Sequence, residues 1–177
     1  MRSVNSAKIA WICCETDRYT SNRGGTKTRS GQRRMGNICR SPLAEAALRS
    51  AADAAGITMH VDSAGTGDWH VGDPPDHRAQ AIAKRHGADI SNLRARQVEE
   101  EDFRRFDRIL ALDHSNLAAL RGMAPTDGTA ELTLLMDAVP GHEGEDVHDP
   151  YYGNESGFEV TWEDVSADAT ALVKSYR

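Results

Sequence analysis

Long apolar runs are missing from this 177-residue sequence. Nothing in it approaches the roughly 20 residues that cross a bilayer, so no membrane insertion is expected. The early apolar stretch from Ile9 to Cys14 is too short for the apolar region of a signal peptide, and the expected compartment is the cytoplasm. Cysteine is scarce. Cys13, Cys14 and Cys39 are too few and too clustered for a disulfide framework, and no CxxC pair or Cys/His spacing suggests zinc. No metal and no cofactor are expected, and cytoplasmic cysteines of this kind are more often reactive than stapling. An excess of positive charge is also missing: 21 Lys and Arg stand against 27 Asp and Glu, a net charge of -6 that argues against general nucleic-acid binding. There is no internal repeat. With 39% apolar residues, the length is most simply one domain, residues 1–177, able to bury a core.

What is present alternates. Lys8–Cys13 is a short, nearly continuous apolar run, the pattern of a strand buried in a parallel sheet. Ser41-Pro42 opens a helix whose apolar Leu43, Ala47 and Leu48 fall at helical spacing, ending near Gly56. Strands are expected at Met59–Ala64, Arg108–Leu112 and Leu132–Met136, with helices at Arg78–His86, Glu99–Phe106, Ser115–Arg121 and Phe158–Tyr176. Thr66–Asp76 and Gly141–Ser156 read as loops. Alternating strands and helices predict an α/β fold, a four-stranded parallel sheet flanked by helices on both faces.

Residues 14–34 break this rhythm. Tyr19 is their only large apolar side chain, and Arg18, Arg23, Lys27, Arg29, Arg33 and Arg34 outnumber Glu15 and Asp17 for a net charge of +4. The segment predicts a flexible basic insert inside the domain.

The chemistry begins just beyond it. In Gly36-Asn37-Ile38-Cys39-Arg40-Ser41-Pro42 a tight turn runs straight into a helix N-terminus. Successive backbone N–H groups in such a turn form a concave nest, and the helix end adds positive potential, a combination that binds a phosphate dianion. Arg40 can add a two-pronged hydrogen bond to the phosphate oxygens. Alone, such a segment is more often only a capped helix with an exposed Arg. A cysteine held over the nest would have a lowered pKa, and its thiolate would attack phosphorus.

These residues resemble the phosphate-binding loop of the low-molecular-weight protein tyrosine phosphatases. In that family an apolar strand ends in the nucleophilic Cys, followed by any residue and then Gly-Asn-x-Cys-Arg-Ser-Pro. Joining Cys13 to Met35 would give that loop intact; as the sequence stands, 21 residues intervene and Arg34 occupies the position six before Arg40. Trp69-His70-Val71-Gly72 is similar to the second active-site loop, and Asp149-Pro150-Tyr151-Tyr152-Gly153 to the acid loop. In isolation Trp69 is as readily a packing residue, His70 is more often a surface or core-satisfying histidine, and Asp-Pro is usually a turn. Three motifs in family order point the other way.

The resemblance implies Cys13 as nucleophile, with Cys14 beside it as the competing candidate. It implies a phosphate clamp of Met35, Gly36, Asn37, Ile38, Cys39 and Arg40, with Ser41 hydrogen-bonded to the thiolate. Asp149 is the implied general acid and base; Trp69, Tyr151 and Tyr152 line the substrate cleft, and His70 supports Asn37. Cys39 would form a reversible disulfide with the nucleophile. Arg96-Gln97 and the Asp107–Asn116 stretch fit the family as scaffold. The expected substrate is a phosphotyrosine-containing protein or a small aryl phosphate. Alternatives are a catalytically impaired phosphate-binding pseudophosphatase and an arsenate reductase of the same fold. The absence of any Cys after Cys39 counts against the relay of cysteines that the latter uses.

Overall fold

Ile9 and Ala10 are adjacent in the first strand, β1 (Ala7–Cys13), and both are inaccessible to solvent. A strand that buries consecutive residues must be covered on both sides, because successive side chains point to opposite faces. Ile9 belongs to one apolar layer and Ala10 to the other. The structure, a computed structural model, describes residues 7–13, 37–150 and 155–176, with backbone alone at 11–13. The expected insert at 14–34, and Met35, Gly36, Tyr151 and Tyr152, lie outside the described residues.

The first layer is built by α1 (Arg40–Ala55), α2 (His77–Arg85) and α5 (Glu155–Ser175), which bring Leu43, Leu48, Ile82, Phe158 and Leu172 onto Ile9 and its neighbours. The second is built by α3 (Asp102–Arg105) and α4 (His114–Met123), through Phe103, Phe106, Leu117 and Leu120. Between them β2 (Met59–Gly65), β1, β3 (Arg108–Ala111) and β4 (Glu131–Leu134) form one sheet in the order β2-β1-β3-β4. Every pairing is parallel, as the alternating sequence predicts.

Element ends follow local chemistry. Gly56, at φ 67°, terminates α1 in the left-handed conformation, where its N–H reaches the Ala52 and Asp53 carbonyls. The fourth strand is shorter than its apolar pattern suggests. Asp137 accepts hydrogen bonds from Leu134 N and Gly144 N, and Met136–Ala138 turns as a 3-10 helix. The expected helix from Glu99 begins at Asp102, because Asp102 Oδ2 accepts from Glu99 N and folds the preceding residues into a turn.

In register, Cys13 stands opposite Gly65, Ile12 opposite Ala111, and Ala111 opposite Leu134. All four carboxyl ends therefore meet at one edge. The chain leaves β1 toward β2 on one side, while β3 pairs on the other, so the strand order reverses between β1 and β3. Ligands of open α/β sheets bind at such a reversal, outside the carboxyl ends.

Candidate active site

Arg40 is the first residue of α1, and its side chain is almost wholly buried. A buried guanidinium requires carboxylates or carbonyls around it. Nη1 lies 2.9 Å from Asp113 Oδ2 and donates to the Val147 carbonyl at 3.2 Å, while Nη2 lies 3.5 Å from Asp149 Oδ2. One side chain thus ties together the start of α1, the residues just after β3 and the acid loop. Asp113 serves twice, since its side chain also caps α4 by accepting from Asn116 N at 2.8 Å. Val147 is fixed by its own N–H, which donates to Leu112 O at 2.8 Å.

The turn before the helix is held from within. Asn37 has φ 55°, a left-handed conformation that Asn tolerates better than most residues. Its Nδ2 donates to the Ser63 carbonyl at 3.2 Å, and its Oδ1 accepts from Ser41 Oγ at 2.6 Å. The Ser41 hydroxyl has one proton, and in this arrangement Asn37 receives it. Beneath Ser63 lies Glu45, buried in α1. Burial pushes its carboxyl above the usual range, opposed by a hydrogen bond from Ser63 and by the Arg49 charge.

The Thr66–Asp76 loop follows the carboxyl end of β2 and is tied to the turn: Asp76 N donates to Ile38 O at 2.7 Å. It is also tied to the segment before α3, with Gly72 N donating to Ala95 O and Ala95 N to Asp73 O. Burial would raise the Asp76 carboxyl, but hydrogen bonds from the side chain and backbone of Arg78, with its charge, outweigh it and hold the group below its ordinary value. Trp69 is half-exposed on this rim, and His70 Nδ1 lies 2.8 Å from Asp73 Oδ2. Asn37 is bonded to Ser41 and Ser63, and the Asp73 contact ties His70 to its own loop. Gln97 Nε2 reaches Thr66 O at 3.1 Å, and Arg96 is paired with Asp62 and Asp102, bracing the loop from behind.

Of the residues singled out in the sequence, Asn37, Arg40, Ser41 and Asp149 are brought to one place, with Trp69 on the adjoining loop. Cys39 is buried at the N-cap of α1, where its side chain makes no capping hydrogen bond. Cys13 ends β1 at the same sheet edge in its backbone position. Asp113 and the Val147 carbonyl were not singled out as functional. Asp113 does carry a signal, an Asp after a strand and three before Asn116, but it reads only as a helix cap. Among the described residues no cluster of His, Cys, Asp and Glu could hold a metal ion.

Comparison with known proteins gives a consistent picture. The family model described as low molecular weight phosphotyrosine protein phosphatase matches residues 34–177. A low molecular weight protein-tyrosine-phosphatase of Streptomyces coelicolor is 44% identical over 147 residues, covering 80% of this chain and 89% of the relative. The low molecular weight phosphotyrosine protein phosphatase of Homo sapiens is 41% identical over 132 residues, 73% of this chain and 83% of the relative. The crystal structure of YfkJ from Bacillus subtilis superposes with a TM-score of 0.79 at 33% identity, covering 99% of this chain and 96% of that one.

Proposed function

The chain belongs to the low-molecular-weight phosphotyrosine protein phosphatase family, and we propose that it hydrolyses phosphotyrosine in proteins through a cysteinyl-phosphate intermediate. One observation carries the reading: a buried Arg40 at a helix start, facing Asp149 across 3.5 Å. A carboxyl that close to the guanidinium lies beside any phosphate oxygen the guanidinium holds. Arg40 and the backbone N–H groups from Met35 to Arg40 bind the dianion, as a nest at a helix N-terminus does. The Cys13 thiolate attacks phosphorus, the bond from phosphorus to the phenolic oxygen breaks, and Asp149 gives that oxygen its proton. Water then attacks the phosphocysteine while Asp149 takes a proton from it. The P–S bond breaks, releasing inorganic phosphate and restoring the thiolate. Ser41 reaches the thiolate by exchanging it for Asn37. Trp69, Tyr151 and Tyr152 flank the aromatic ring, and His70 steadies the rim through Asp73. Chemistry that depends on a free thiolate suits the reducing cytoplasm.

Residues 14–34 interrupt the loop between the nucleophile and the nest, and we read them as an insertion that lowers turnover without removing phosphate binding. Steady-state hydrolysis of an aryl phosphate tests the assignment. Cys13→Ser should abolish turnover while inorganic phosphate still binds, and Arg40→Lys should weaken both, since an ammonium cannot form the fork. If Cys14→Ser is the lethal change and Cys13→Ser is harmless, the nucleophile is misassigned. A parent chain that binds phosphate but never turns over is a phosphate-binding protein instead, and one that reduces arsenate with added thiol is a reductase.

A further inference from the structure

Gly67 is a glycine demanded by space rather than by backbone conformation. A Cβ at that position would lie 1.8 Å from Trp69 Cζ3, 2.2 Å from Cε3 and 2.9 Å from Cη2, far inside van der Waals contact. The positive-φ glycines, Gly56, Gly72, Gly87, Gly141 and Gly144, would meet nothing within 4 Å. Gly67 is not among them, so an alanine could adopt its backbone conformation but not share its space. The six-membered part of the indole therefore rests directly on the Gly67 Cα.

The loop cannot simply shift to relieve such a clash. Val71 N donates to Asp68 O at 3.2 Å and Asp73 N to His70 O at 2.8 Å, and Gly72 is bonded across to Ala95 at 2.8 Å. Upstream, Gly65 is fixed in the sheet by bonds to Arg96 and Val98. With backbone held on both sides, the ring is the part that must give. Trp69 is nonetheless 52% exposed, so a ligand can reach a large part of the side chain.

We propose that Gly67 is a positioning residue for aryl recognition: it seats the Trp69 indole in the one orientation that receives the aromatic ring of the substrate. The proposal rests on Trp69 being a wall of the cleft. Aromatic contacts depend on ring offset and angle, and a ring fixed before binding loses less freedom when it binds. The seat should therefore favour aryl over alkyl phosphate esters and leave the phosphate clamp alone.

Calorimetric titration of the full chain with phenylphosphonate and with inorganic phosphate separates these parts. Trp69→Ala and Gly67→Ala should each weaken phenylphosphonate about three- to tenfold, the size of an aromatic contact, and leave phosphate affinity unchanged. In a Trp69→Ala background, Gly67→Ala should cause no further loss, because the added methyl has no ring to displace. Trp69→Ala that weakens neither probe removes the cleft-wall reading itself. Trp69→Ala that weakens phenylphosphonate while Gly67→Ala does not, or a Gly67→Ala loss that persists without the indole, overturns the seat alone. Should Gly67→Ala not fold, a cooperative melt regained in the double variant expresses the same coupling, and failure of both variants to fold overturns it.

Discussion

Asp149 combines two properties that suit the proposed general acid and base: it lies 3.5 Å from the Arg40 guanidinium, and its side chain is 39% exposed, so water can reach it. Its replacement by Asn should therefore depend on the leaving group. Hydrolysis of phenyl phosphate should fall about a hundredfold or more, whereas an ester of a very acidic phenol, which leaves without protonation, should lose far less. Equal losses on both substrates would reduce Asp149 to a turn residue. At this scale the sequence was legible where a residue sits in a motif, as Asp149 does before Pro150. It showed Asp113 only as a helix cap within a scaffold stretch and gave no sign of its ion pair with Arg40, which joins residues 73 positions apart. The Ser63 carbonyl that accepts from Asn37 was equally hidden, since it lies on β2, 26 positions away.

Among elements, α5 contains an oddity that its amphipathic pattern conceals. Asp168 occupies the buried stripe with Val165, Ala169 and Leu172, fully inaccessible, and neither carboxyl oxygen has a hydrogen-bond partner among the described residues. Burial pushes its pKa up to about 8, with the Arg108 charge only partly opposing the rise. Arg108 itself is paired with Glu131, 3.0 Å away. Because the folded value lies above the usual 3.8, the folded chain holds a proton that the unfolded chain has released. This contribution is intact below the unfolded pKa and is lost progressively as pH rises to about 8. Asp168→Asn mimics the neutral acid and removes that dependence. The variant should match the parent in acid and gain stability over it by a few kcal/mol as pH rises from about 5 to about 8. Denaturant melts across that window would show it; a difference that stays constant with pH would mean that Asp168 does not titrate there.

For the whole molecule, the question is what residues 14–34, proposed above to be an insertion between Cys13 and Met35, would do to the site. β1 is an inner strand, paired with β2 on one side and β3 on the other, so the sheet sets where its last residue lies. The resumption of the loop is set independently, by α1 packing on α5 and by the bonds of Asn37 and Ile38. Removing residues 14–34 should therefore leave a folded protein and restore Cys-Met-Gly-Asn-Ile-Cys-Arg-Ser. Catalytic efficiency should rise, because a misplacement of about 1 Å can lower a rate roughly a hundredfold. The deletion also takes away six positive side chains that could attract an anion. That attraction falls off beyond about 8 Å at physiological salt, so geometry should win. The ratio of efficiencies, deletion over full length, should exceed one at low and high ionic strength and increase with salt. A folded deletion variant that is slower under both conditions would make the insert a working part of the site.

The sequence by itself determined the order of strands and helices, because each is a local pattern: the apolar run of β1, the Pro42 that opens α1, the Gly56 that closes it. It also placed the Asn37–Arg40 turn, proposed above to bind phosphate, at the start of α1, since turn, Arg and helix start are contiguous. The shortening of β4 needed the tertiary structure, because Asp137 reaches back to Leu134 and across to Gly144. So did the seating of Trp69 on Gly67, which depends on how the loop folds back rather than on which residues it contains. The convergence on Arg40 is the clearest case. Periodicity fixes which face of a strand or helix is buried, but not that the residues after β3 and before α5 should end within 3.5 Å of the same guanidinium. That follows from parallel strands carrying their carboxyl ends, and the loops attached to them, to one edge of the sheet.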